Sequence, residues 1–98
     1  MDLRPGHLAI VKKILATHVP GTEVVAFGSR VTGTAKEHSD LDLALRGTEK
    51  IDDGVLRNLR VAFEESDLPM RVDVVDWNRI GAKFRSIIEL KFEVVARA

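Results

Sequence analysis

Two aspartates two residues apart, in Ser39-Asp40-Leu41-Asp42-Leu43-Ala44-Leu45, open the chemical reading of this chain. In an extended strand, alternate side chains share a face, so Asp40, Asp42 and Ala44 lie on one side and Leu41, Leu43 and Leu45 on the other. The two carboxylates then sit about 7 Å apart along the strand. Like charges so close repel, the strand itself offers no basic neighbour, and burying the pair without a partner is costly. A divalent cation resolves the conflict: Mg²⁺ prefers hard oxygen ligands and takes one or two carboxylates together with substrate phosphates. The competing reading is a strand whose outer face is simply wet, although aspartate is disfavoured in strands. A third carboxylate, Asp73, interrupts the apolar run Val72-Asp73-Val74-Val75 and points away from Val72 and Val74. It needs a partner, either the metal held by Asp40 and Asp42 or, on an edge strand, a surface cation such as Arg71. Asp76, closing the same run, reads as a turn or helix-start residue.

Ahead of these aspartates, Gly28-Ser29 sits where a buried apolar run gives way to a helical segment. Glycine permits close approach of a phosphate to the backbone, and the first free amides of a helix attract anions. Ser29 adds a hydroxyl donor, and the Arg30 guanidinium can fork onto phosphate oxygens. A Gly-Ser pair by itself is an ordinary turn; here two aspartates return about a dozen residues later, within reach of the same site. His7, His18 and His38 are scattered without metal-ligand spacing, and His38 is the one nearest the carboxylates. Lys36 and Arg46 read as solvated loop and strand-end residues, and Trp77 as a core or interface anchor.

The elements that must position these residues follow from periodicity. Leu8, Val11, Leu15 and His18 recur at helical spacing after a short leader ending in Pro5-Gly6, and Pro20-Gly21 stops that helix. Val24 to Phe27 is a continuous apolar run, the pattern of a strand covered on both faces. Residues 30–39 are polar and predict a short helical turn followed by a loop. The alternating strand from Asp40 ends at Gly47. Asp52 or Asp53 caps a further helix with Val55, Leu56, Leu59, Ala62 and Phe63 on its buried stripe. After Pro69, Met70 to Asp76 alternates as a third strand. Asn78 is placed to cap a last helix carrying Ile80, Phe84, Ile87 and Ile88, and Phe92 to Val95 fits either an extension of it or a short edge strand. Strands alternating with helices predict a small α/β structure, a mixed sheet flanked by helices, in one domain over residues 1–98.

Composition narrows the functional classes. Fifteen Lys and Arg balance fifteen Asp and Glu, so no net field draws the chain to nucleic acid or a membrane surface. Without cysteine, disulfides, thiolate catalysis and Cys-based zinc sites are excluded, which suits a reducing cytoplasm. The N-terminus lacks the apolar run of a secretion signal and no segment has the length of a membrane span, so a cytoplasmic protein is expected.

Taken in order, Gly28-Ser29-Arg30-Val31-Thr32-Gly33-Thr34 and Ser39-Asp40-Leu41-Asp42-Leu43 closely resemble the signature of the DNA polymerase β-like nucleotidyltransferases. Arg30, Gly33 and the Ser39 just before Asp40 look like its compact minimal nucleotidyltransferase (MNT) group. Val72-Asp73-Val74-Val75-Asp76-Trp77 is similar to the third-carboxylate strand of that group. The resemblance covers nearly the whole chain, with no position of the pattern missing. It implies the polymerase β-like nucleotidyltransferase fold and a site in which Gly28 and Ser29, with Arg30 beside them, hold the triphosphate of ATP. Asp40 and Asp42 would bind one or two Mg²⁺ ions, and Asp73 would complete the metal site and position or deprotonate the attacking hydroxyl. Two metals about 3.5–4 Å apart stabilise both the attacking and leaving oxygens of an in-line displacement. MNT proteins of this length further resemble the antitoxin half of HEPN/MNT modules, which implies a cognate HEPN ribonuclease toxin as partner and transfer of AMP to one of its tyrosines. Two alternatives remain open: modification of a small molecule of aminoglycoside type with a helical partner subunit, and a non-catalytic antitoxin that acts by contact. Three convergent carboxylates argue against the last, since contact alone does not require them.

Overall fold

The computed structural model describes Met1–Ala98. Helix α1 spans Pro5–His18 and begins on its proline, whose fixed φ and missing N–H suit the first helical turn. Pro5-Gly6 is therefore helix, and the leader expected to end there is shorter. Val11 and Leu15 form the buried side of α1. Strand β1, Glu23–Phe27, is buried through its three central residues, as a strand covered on both faces should be. Gly28 then turns the chain into the single-turn helix α2, Ser29–Thr32, which Gly33 ends in a left-handed conformation.

Strand β2, Leu41–Arg46, carries the alternation of the sequence into space. Leu41, Leu43 and Leu45 are fully buried on one face, while Asp42 is half-buried on the other. Helix α3, Asp53–Glu64, has Asp52 as its cap, with Oδ1 accepting from the amides of Gly54 at 2.9 Å and Val55 at 3.3 Å. Strand β3 is Val72–Asp76, helix α4 is Ala82–Leu90, and β4 is Glu93–Ala96. The undecided tail is thus an edge strand. The expected Asn78 cap is displaced: Asp76 caps a 3-10 turn at Trp77–Arg79 by accepting the Asn78 amide, while the Asn78 side chain donates to the Gly47 carbonyl. Ile80 consequently precedes α4 rather than lying within it.

The sheet order is β3-β2-β1-β4, with β1 antiparallel to both neighbours and β2 parallel to β3. The parallel pair requires a crossover, which α3 supplies. The mixed sheet has very unequal faces. Val24, Ala26, Leu41, Leu43, Leu45 and Val74 pack against α1 and α3, through Val11, Leu15, Leu56, Leu59 and Phe63, to make the main core. On the opposite face only a small cluster forms, where Val25 and Ala44 meet Ile88 of α4. Arg60 Nη2 donates to the Val74 carbonyl at 3.1 Å and so occupies part of the free edge of β3. No helix is long and apolar enough to cross a membrane.

Replacement of Asp52 by alanine removes the acceptor for two helix-start amides and should cost about 1 kcal/mol. For a chain of this size that lowers Tm by about 4–8 °C, measurable by thermal circular dichroism.

Candidate active site

Three chain segments meet at one end of the sheet, on the face opposite the main core. β1 ends at Phe27-Gly28 there, and both β2 and β3 begin there. The register aligns Phe27 with Asp42 on one side and Asp42 with Asp73 on the other. Neighbouring strands lie about 4.8 Å apart, so Asp42 and Asp73 are direct lateral neighbours. The alternation that buries Leu41 and Leu43, and likewise Val74, sends both carboxylates to the lightly covered face.

Gly28 fits this geometry in a way no other residue would. Its φ is +81°, and a Cβ placed on it would collide with the Asp42 carboxylate, whose Cγ would lie 3.2 Å away. The carboxylate is therefore packed directly against the backbone of the Gly-Ser turn. Asp42 is also the electrostatically stressed member of the group. Its carboxyl is raised above the ordinary value of 3.8, first by burial, then by the charges of Asp73 and Asp40, with Arg71 acting in the opposite direction.

Asp40 lies just ahead of β2 and is held differently. Its Oδ2 accepts from Arg71 Nε at 3.1 Å and Nη2 at 2.6 Å. This hydrogen bonding and the Asp40 charge push the guanidinium further above its usual range. Arg71 is mostly solvent-exposed, so the pair contributes little to stability; its effect is to balance charge at the site. The sequence offers Asp40 and Asp42 no basic neighbour within their own strand and points to Arg71 as a partner for Asp73. The parallel register corrects this, because alignment of Leu41 with Val72 brings residue 71 beside residue 40. Sliding the two Asp-bearing strands against each other in parallel would have revealed it. Asp73 itself is exposed on an edge strand and does not lie in a mostly buried one.

Arg30 requires a larger correction. It is 7% exposed, and its guanidinium donates to the backbone carbonyls of Asp2, Glu37 and Ser39. With those donors committed inside the protein, it is not presented to a phosphate. Asp76, also buried, accepts from the Ile51 and Asn78 amides and from Arg79, which makes it the structural residue the sequence suggested. Arg46 stacks between Trp77 at 4.6 Å and Phe92 at 5.3 Å at the far end of β2, and Trp77 is thereby a packing anchor. His38 and Lys36 are exposed on the loop before Asp40.

The donor set, carboxylate oxygens only, fits Mg²⁺. It does not form a closed cage of three ligands, since Asp40 faces Arg71. That agrees with a cation that keeps several waters and binds through one or two carboxylates and the phosphates of its substrate.

A sheet end of this kind, with carboxylates on adjacent strands packed against a Gly-Ser turn, suits phosphoryl-group chemistry, and sequence comparison makes the class definite. The chain belongs to the nucleotidyltransferase domain family, whose profile matches residues 8–96. It is 48% identical over 95 residues to the probable protein adenylyltransferase MntA of Haemophilus influenzae, an alignment covering 97% of this chain and 83% of that protein. Its fold is that of a toxin–antitoxin complex crystallised with AMP-PNP, at a TM-score of 0.77 and 22% identity over 93% of this chain and 73% of that one. A second likeness, at a TM-score of 0.59 and 16% identity over the same shares, is to a structure of the tri-AMPylated HEPN toxin of Shewanella oneidensis in complex with its MNT antitoxin. A nucleotide is the substrate class the family defines.

The raised Asp42 carboxyl has a testable sign. A group protonated more readily when folded adds stability below its unfolded pKa, and that contribution disappears as pH rises through the folded value. Above that range the Asp42 carboxyl is therefore a burden. Asp42→Asn should raise Tm at pH 7 in metal-free buffer, and the gain should vanish as pH falls below the ordinary aspartate value of 3.8. Calorimetric melts of both proteins across that range check it; a variant less stable than wild type at pH 7 would contradict the electrostatic assignment.

Proposed function

We propose that this chain is a Mg²⁺-dependent protein adenylyltransferase that acts as an antitoxin, moving AMP from ATP to a tyrosine hydroxyl of a cognate HEPN-type toxin. The observation that carries the reading is the 48% identity with a protein adenylyltransferase, in a chain whose Asp42 and Asp73 are register neighbours at a Gly-Ser turn. In this reading the amides and hydroxyl of Gly28-Ser29 receive the triphosphate, and Asp40 and Asp42 hold the cation. Mg²⁺ at these carboxylates supplies charge neutralisation for the phosphates and for the departing pyrophosphate.

The chain's own residues supply position. The acceptor oxygen forms a bond to the α-phosphorus, the bond from the α-phosphorus to the pyrophosphate oxygen breaks, and the hydroxyl proton leaves to a base. In this reading Asp73, exposed beside Asp42 on the edge strand, would receive that proton and orient the hydroxyl. The packing of Asp42 against Gly28 keeps the phosphate side and the carboxylate side of the site at a fixed separation, which is where much of the rate enhancement in phosphoryl transfer arises. The carboxylates sit on the lightly covered face of the sheet, with Asp73 exposed on its edge strand. Such an exposed site suits an acceptor carried on the surface of another protein.

Incubation with ATP, Mg²⁺ and the cognate toxin, followed by intact-mass analysis, tests the proposal. The expected result is a mass gain of one or more AMP units on the toxin, localised to tyrosine. Omission of Mg²⁺, or the change Asp42→Asn, should lower the rate by about 10²–10³-fold, as loss of a principal charge-stabilising group does. If the doubly changed protein Asp40→Ala with Asp42→Ala neutralises the toxin as well as wild type, adenylylation is not the mechanism and contact alone suffices.

A further inference from the structure

Arg30 follows the Gly28-Ser29 turn directly but sends its side chain into the protein. Nε and Nη2 donate to the Ser39 carbonyl at 3.0 and 2.8 Å, Nη2 also to Glu37 at 3.3 Å, and Nη1 to Asp2 at 2.8 Å. The Asp2 amide returns a bond of 2.7 Å to the Arg30 carbonyl. Every partner is a backbone carbonyl and none is a carboxylate, so a full positive charge is buried without a counter-ion. Burying a charge is expensive unless its hydrogen bonds are well satisfied. Packing alone would be met at lower cost by an apolar side chain, so the placement calls for a task that needs several donors in a rigid fork.

The carbonyls it gathers indicate that task. Ser39 immediately precedes Asp40, and Glu37 lies in the same loop between Gly33 and β2. At its start the loop is tied by the Thr34 amide to the Ser29 carbonyl at 3.1 Å, and at its end Asp40 accepts from Arg71. Between them lie a local pair of bonds, Ser39 amide to Lys36 carbonyl at 3.1 Å and Lys36 amide to Ser39 Oγ at 2.8 Å, and the Arg30 bonds to Glu37 and Ser39. Arg30 thus joins the backbone of the Gly-Ser turn to the residue just before the first carboxylate.

We propose that Arg30 is a positioning residue: its buried guanidinium clasps the loop before Asp40 to the Gly28-Ser29 turn, and so sets Asp40 relative to Asp42 and the nucleotide phosphates. This rests on the proposed site, and acts through Asp40 without contact to substrate. A lysine keeps the charge but lacks the fork that spans three carbonyls.

The test compares Arg30→Lys, Arg30→Ala and Asp42→Asn with wild type in the AMP-transfer assay, at a temperature where each is folded. Arg30→Lys should lose about 10²-fold in kcat, the effect of a small displacement of reacting groups. Its KM for ATP should be unchanged and the Mg²⁺ concentration for half-maximal rate raised. Added methylguanidinium should return part of the activity of Arg30→Ala and none of Asp42→Asn. Independently of activity, amide exchange at residues 34–40 should accelerate in Arg30→Lys while β1 and α1 keep their protection. A rise in KM with kcat unchanged would mean that Arg30 acts on the phosphates, and unaltered kcat and exchange would mean that it only packs; either overturns the proposal. Should neither variant fold, exchange in wild type decides: the Ser39 amide must be protected nearly as well as that of Leu41, and free exchange there sinks the clasp. Full transfer by Asp42→Asn would instead defeat the site reading, whereas an inactive Asp42→Asn beside a fully active Arg30→Lys would remove only the positioning role.

Discussion

The contact between the Asp42 carboxylate and the backbone of Gly28 organises the proposed site. It exists because β1 and β2 pair with Phe27 opposite Asp42, so that the chain leaving β1 passes over the carboxylate at the moment it turns. A side chain at residue 28 would push the two apart. The same register, extended to β3, sets Asp73 beside Asp42, and the repulsion between them is part of what raises the Asp42 carboxyl. The group is therefore strained electrostatically in a way that a bound cation relieves. Sites that perturb their own titratable groups through burial and like charge are where catalysis is commonly found.

The unequal faces of the sheet make this strain affordable. Nearly all apolar packing lies on the side of α1 and α3, where Leu41, Leu43 and Leu45 interdigitate with Val11, Leu15, Leu59 and Phe63. A slip of one residue in β2 would move the leucines to the open face and the aspartates into the core, so hydrophobic burial fixes the register that the chemistry requires. The opposite face, with only α4 laid across part of it, leaves Asp42 and Asp73 reachable. Phe27 and Phe84 meet edge-to-face at 5.8 Å, which brings α4 up to the margin of the site without covering it.

Much of this was legible in the sequence, because it depends on local period and cap chemistry. The alternation from Asp40 to Leu45 placed two carboxylates opposite three leucines, and the stripe of α3 followed from its spacing. What was not legible depends on which distant residues meet. Arg71 reaches Asp40 only through a parallel register, and no local pattern separates a parallel from an antiparallel neighbour. Arg30 looked like a phosphate ligand because it follows Gly28-Ser29; its burial is decided by carbonyls at residues 2, 37 and 39, brought together by the fold. Asn78 and Asp76 are equally plausible caps by residue type, and the choice fell to Asp76 because its carboxylate also receives the Ile51 amide and Arg79. The tail from Phe92 was ambiguous because a four-residue strand is too short to show a period.

The central claim is that Gly28-Ser29 and the carboxylates of Asp42 and Asp73 form one nucleotide site. Backbone NMR of the protein titrated with a non-hydrolysable ATP analogue, with and without Mg²⁺, tests it most directly. The account predicts that the amides of Gly28, Ser29, Asp42 and Asp73 shift together, saturate at one concentration, and require Mg²⁺ for the tight phase, with the response lost in Asp42→Asn. Shifts confined to another surface, or identical in Asp42→Asn, would contradict it.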